Sequence, residues 1–124
     1  MKKYTYTVAG TTSAVKHYLP IPDAGKLAGL RAVVNSTQTA GTAQVLAGKK
    51  GATHHILAAD LGTTGANGIG NVAKATLNAD ATDAERAQMF DGTTPIEVSV
   101  QLVVAGIVGI TIEVDEYGIG GLRP

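Results

Sequence analysis

Apolar and polar side chains alternate most strictly near the C-terminal end of the chain. Ile96, Val98, Val100 and Leu102 alternate with Glu97, Ser99 and Gln101. After a break at Val104, Ala105 and Gly106, the residues Val108, Ile110, Ile112 and Val114 alternate with Ile107, Gly109, Thr111 and Glu113. A side-chain period of two predicts strands with one dry face and one wetter face. Six further runs read the same way. Residues 3–9 place Tyr4, Tyr6 and Val8 on one side, and residues 15–21 place Val15, His17, Leu19 and Ile21 together. Pro20 and Pro22 confine the end of that second run to a sheet edge or corner. Residues 27–35, 42–47, 53–58 and 71–77 supply the rest.

The punctuation between these runs is polar or glycine-rich. Asp23-Ala24-Gly25 reads as a turn, and Gly48-Lys49-Lys50-Gly51 as a tight hairpin with glycines supplying positive φ. Thr82 followed by Glu85 has capping-box spacing, Ala84, Ala87 and Phe90 share a helical face, and Gly92 follows. One short helix is therefore expected near 83–90, with the chain's only phenylalanine closing an end of the structure. About eight strands, polar turns and one longer connection predict an all-β fold: an antiparallel jelly-roll-like β-sandwich, or another Greek-key sandwich. The whole of residues 1–124 reads as a single domain, with an N-terminal arm at about 1–9 and a flexible C-terminal tail at about 118–124.

Composition narrows the function. Ten basic and ten acidic residues give a formal net charge of zero, so no broad basic face is present for nucleic acid. Neutrality also removes the self-repulsion that keeps copies apart. There is no cysteine, which excludes disulfides and thiolate chemistry. Lys2 and Lys3 are not followed by an apolar signal region, and the run from Leu102 to Ile110 is too short to span a bilayer. A soluble protein with no membrane partner is the expectation.

Candidate chemistry is sparse. His54 and His55 are adjacent, with Asp60 downstream and His17 elsewhere; on a strand, neighbours point to opposite faces and cannot grip one metal together. Ser13, Ser36 and Ser99 occupy no strained, glycine-flanked elbow. Glu113, Asp115 and Glu116 cluster at the end of the last strand, with Glu97 across from them if the two strands pair, yet a glycosidase site adds stacking aromatics and only Tyr117 is near. The glycines of residues 65–70 and the segment 48–51 miss both phosphate-loop spacings. Asp91-Gly92-Thr93-Thr94-Pro95 reads as a turn. No catalytic, cofactor-binding or metal residues are assigned, and no enzyme activity or small-molecule substrate is expected. What remains is interface-like: Val33-Val34, Leu46, Val103 and Ile107 place apolar side chains on faces that alternation gives to solvent. Such area marks a contact surface, or it is the scattering of valines normal on any surface. The tail from Gly118 to Pro124 carries two apolar anchors, Ile119 and Leu122, and is either disordered or ordered against a neighbour.

Four segments together resemble small jelly-roll proteins of tailed-bacteriophage virions, the head decoration or cement proteins. They are residues 18–27 (Tyr18 to Leu27, with Pro20, Pro22 and Gly25), Ala32-Val33-Val34-Asn35-Ser36, residues 91–98 with Pro95-Ile96-Glu97-Val98, and Ile110 to Asp115. The likeness covers residues 4–117. It implies homotrimers on the capsid exterior, made in the host cytoplasm, with the major capsid protein and neighbouring trimers as partners and no catalytic residues. Contacts are then expected from Tyr4 and Tyr6 of the arm, from Val33, Val103 and Ile107, and from Ile119 and Leu122. Similar jelly rolls serve in phage fibres and sugar-binding modules, so a carbohydrate- or receptor-binding module is the alternative; the absence of tryptophan weighs against it.

Overall fold

In a computed structural model the chain forms a β-sandwich, described over residues 2–21, 24–38, 43–51, 53–62, 73–86, 89–91 and 93–115. Along the chain these residues form β1 (Lys2–Gly10), β2 (Val15–Leu19), β3 (Ala24–Val34), β4 (Gln44–Lys49), β5 (Leu57–Asp60), β6 (Ala73–Lys74) and β7 (Thr76–Leu77). A helical turn, α1 (Asp83–Arg86), is followed by β8 (Met89–Asp91), β9 (Ile96–Gln101) and β10 (Gly106–Asp115). Sheet A runs β1-β10-β3-β6, with β8 also on β3; sheet B runs β2-β9-β4-β5-β7. Every pairing is antiparallel. First strand pairs with last, β2 with β9, β3 with β6 and β8, and β4 with β5, which is the rolled-up ribbon of a jelly roll.

Alternation explains the core. Ile96, Val98 and Val100 of β9 face Val108, Ile110, Ile112 and Val114 of β10 across the sandwich, all fully buried. Alanines 43, 47, 59 and 73 fill the narrow spaces between them. In β3 both Leu27 and Leu30 are buried, an odd spacing that strict alternation forbids. A β-bulge resolves it: Glu113 pairs Gly29 but Val114 pairs Leu27, so Ala28 is the extra residue.

Several elements differ from their sequence-based limits. Of the expected helix near 83–90, the described residues show one turn, Asp83–Arg86, and residues 89–91 instead pair as β8 with Lys26, Gly25 and Ala24. Phe90 is buried in the core, at 1 % exposure. The expected strand 71–77 divides at Ala75: β6 belongs to sheet A and β7 to sheet B, and the Ala75 N–H donates to Leu30 O at 2.9 Å. The segment 48–51 is not a tight hairpin, since the first β4–β5 pair is Ala47 with Leu57. Residues 2–10, the expected arm, pair with β10 along their length. The tail at 118–124 lies outside the described residues.

One end of the sandwich is tied together by side chains of the β3–β4 connection. Gln38 is fully buried. Its Oε1 accepts from Val103 N at 2.7 Å and Val104 N at 3.2 Å, while Nε2 donates to Val104 O at 2.8 Å and Ser36 Oγ at 2.9 Å. Ser36 Oγ also donates to Val104 O at 3.0 Å, and Asn35 Oδ1 accepts from Ile107 N at 2.7 Å. A buried glutamine with both ends of its amide used fixes the β9–β10 turn against the opposite sheet crossing.

Candidate functional site: the two outer sheet faces

With Ile96 and Val98 turned inward, Glu97 must point out from sheet B. Its side chain is nevertheless only 4 % exposed. Three neighbours cover it. Tyr18 of β2 and Gly48 of β4 flank it in register. Residues approaching β5 then pass over the outer side of Gly48, so close that a Cβ there would lie 2.9 Å from His55 Cα and 3.1 Å from Ile56 N. That passage sets His55 Nε2 2.9 Å from Glu97 Oε2, with Lys16 Nζ 3.9 Å from the same oxygen. The His55 contact is close but not aligned as a hydrogen bond. Burial pushes the His55 imidazole below the ordinary histidine range; the Glu97 carboxylate opposes this, and Lys16 adds to the depression. Beside the cluster, Lys50 Nζ sits 5.5 Å from the centre of the Tyr18 ring, within cation–π range.

The outer face of sheet A is different in kind. Its β1–β10–β3 rows read Ala9 beside Ile107, then Thr7, Gly109 and Val33, then Thr5, Thr111 and Arg31, then Lys3, Glu113 and Gly29. The first two rows are uncharged and small apart from Ile107 and Val33: Ile107 is 45 % exposed, Val33 is half-buried, and a Cβ on Gly109 would meet only the Val33 carbonyl, at 4.0 Å. Val104, 47 % exposed, stands in the adjoining β9–β10 turn. The other rows are charged. Arg31 Nε lies 3.6 Å from Glu113 Oε1 beside a small open recess of about 190 Å³, lined also by Ala28, Gly29 and Lys74.

Against these faces the sequence-selected residues fall as follows. Val33 and Ile107 lie together on sheet A. Val103 packs against the core and is held through its backbone by Gln38. Tyr4 and Tyr6 pair with Ile112 and Ile110 and pack half-buried against the core. The Tyr6 hydroxyl donates to Pro20 O, and burial raises the pKa of that phenol. Ile119 and Leu122 lie outside the described residues.

The candidate chemical groups are dispersed. β9 and β10 belong to different sheets, so Glu97 does not lie across from Glu113 and Asp115; the two acidic positions face away from each other on opposite sides of the sandwich. His54 and His55 precede β5, which begins only at Leu57, so the opposite-face argument for a strand does not govern them. His55 meets Glu97 rather than Asp60, whose carboxylate accepts from Gly62 N at 2.9 Å. Among the described residues no three His, Cys, Asp or Glu side chains gather at metal-binding range. His17, on the inner side of β2 opposite Val98, buries its Nε2 without a hydrogen-bond partner. Sequence inspection missed both the Gln38 tie and the His55–Glu97–Lys16 cluster, whose members come from separate strands and connections and carry no local spacing signal.

No family model, curated protein or solved structure matches the chain.

Proposed function

We propose that this protein is a non-enzymatic structural component of a virus particle, which decorates and stabilises the outer surface of a tailed-bacteriophage head as a trimer bound to the major capsid protein. The observation that carries this reading is the apolar end of the sheet A outer face, where Ala9, Val33, Val104 and Ile107 are presented on an uncharged surface. An uncharged patch bordered by Thr5, Thr111 and Arg31, with Lys3 and Glu113 one row further on, suits contact with another protein. Zero net charge permits close packing beside copies of itself. The jelly-roll fold agrees with the resemblance drawn from residues 18–27 and 91–98.

The mechanism needs no reaction. A trimer touching several capsid subunits makes each contact after the first intramolecular, so weak patches act jointly. Binding the assembled shell but not its separated subunits stabilises the shell by mass action. The test is the mass of the purified protein in solution, followed by co-sedimentation with expanded phage heads. A trimer that pellets with the shells, and an Ile107→Asp variant that stays folded but remains in the supernatant, is the expected result. A monomer that never pellets refutes the reading.

A further inference from the structure

We propose that β1 is the docking edge for a second copy of this chain, the two strands running antiparallel across a twofold axis at Tyr6 and joining two copies of sheet A into one. The inference goes beyond the function proposed above and does not rest on it: a twofold contact joins two copies whether each stands alone or within a trimer.

The edge of a sheet presents unpaired N–H and C=O groups, and folded proteins blunt such edges with short strands, prolines or bulges. Among the described residues the other edge strands follow that rule. β6 and β7 hold two residues each, β8 three, and β2 five before Pro20. β1 does not. It pairs with β10 without a register shift over nine residues, Lys2–Gly10, holds no proline, and has no described strand on its other side. That leaves a straight row of backbone groups about 30 Å long.

The core is unfinished on the same flank. On β10, Val108, Ile110 and Ile112 are fully buried, whereas their partners Val8, Tyr6 and Tyr4 on β1 are only half-buried. β2 ends the opposite sheet there, with the Tyr6 hydroxyl donating to Pro20 O just beyond it. Val15 of β2, although paired with the buried Val100, is still 38 % exposed. A strand laid against β1 supplies the missing cover.

The sequence of β1 says which strand fits. Antiparallel pairing about Tyr6 is the register that uses all nine residues of both copies. It sets Tyr6 beside Tyr6, Tyr4 beside Val8, Thr5 beside Thr7 and Lys3 beside Ala9. Aromatic pairs, aromatic with β-branched pairs and threonine pairs are favourable cross-strand neighbours. Inward side chains of both copies stay inward, because the side-chain period is two. Charge agrees as well. Lys2 and Lys3 are the only charged residues of β1, and they fall against Gly10 and Ala9 of the other copy, so no like charges meet. Parallel pairing in register would stack lysine on lysine. An isologous contact of this kind closes at two copies and leaves no β1 edge free.

The chain has no cysteine, so introduced thiols report the register directly. Thr5 and Thr7 are both exposed. Under mild oxidation, Thr5→Cys mixed with Thr7→Cys should form a covalent dimer while neither variant does so alone, because residue 5 meets residue 7 of the other copy and is out of step with its residue 5. Sedimentation of the unaltered protein should show the mass of its smallest species doubling as concentration rises to about 1 mM. A Thr5→Asp, Thr7→Asp double variant sets carboxylates face to face; it should stay folded by circular dichroism and lose the doubling. A mass that stays constant overturns the proposal. So do disulfides that form equally well in the unmixed variants, and a doubling that survives the two aspartates. A doubling lost in Ile107→Asp would place the contact on the apolar patch instead and overturn it too. Binding to phage heads is read separately by co-sedimentation, so either proposal can fail alone.

Discussion

Replacing Gln38 by alanine should cost this fold more than any other single polar substitution at its β9–β10 end. The side chain is fully buried and supplies the common acceptor for Val103 N and Val104 N. Truncation strands both donors. Val104 is 47 % exposed, so water can reach its amide, whereas Val103 packs against the core. One stranded buried donor costs roughly 1–3 kcal/mol, and the lost donor to Val104 O is partly covered by Ser36 Oγ. Adding the emptied volume, the expected loss is about 2–4 kcal/mol. Against a typical total of about 5–15 kcal/mol this is a large fraction, and at this chain length it lowers Tm by about 10 °C. Urea unfolding should show a lower midpoint with unchanged slope. Gln38→Glu sharpens the test, because a carboxylate oxygen would replace the amide nitrogen that donates to Val104 O and would face that carbonyl oxygen without a proton. Its folded pKa should be raised, so its stability is intact below about 4.3 and declines as pH rises through the folded value. A Gln38→Ala loss under about 1 kcal/mol, or a Gln38→Glu variant insensitive to pH, would refute the account.

Other outcomes follow from the same coordinates. His17→Leu should stabilise by about 1 kcal/mol in urea melts, because it removes a buried ring nitrogen that has no partner. Phe90→Ala should destabilise by about 3–5 kcal/mol, since Phe90 is the largest fully buried side chain among the described residues. Wild-type stability should fall between pH 7.5 and 5.0 more steeply than that of His55→Gln: the depressed imidazole contributes above about 6.5 and loses that contribution as pH drops through its folded value. Arg31→Ala should change stability by less than about 1 kcal/mol, because its pairing with Glu113 is half exposed to solvent.

The strands that were plain in the sequence are those whose alternation the fold leaves undisturbed. β9, β10 and β1 each keep one side on the core from end to end, so Ile96 to Val100 and Val108 to Val114 reveal both element and face. β5 was displaced because His54, His55 and Ile56 extend an apolar-looking run, while the actual start of the strand is set by Asn78 and Gly48, distant in sequence. β8 was hidden under a helical pattern, since three residues ending at Asp91 carry too little periodicity to outweigh the capping signal at Thr82. The apolar positions Val33 and Ile107 could be chosen from alternation alone. Glu97 could not, for a glutamate on the wet side of a strand gives no hint that a passing segment will cover it. Gln38 sat in a polar run and gave no signal of burial.

Because β1 is seated beside β10, β1 has no ladder partner among the described residues until β10, far along the chain, has been made. A nascent chain lacking residues 106–115 would carry β1 and β3 with bare hydrogen-bonding edges, an invitation to pair with other unfinished copies. Folding of this sandwich must therefore wait until residues 106–115 have been made and proceed through distant pairings, which places it among slowly folding topologies and makes termination before β10 a route to aggregation.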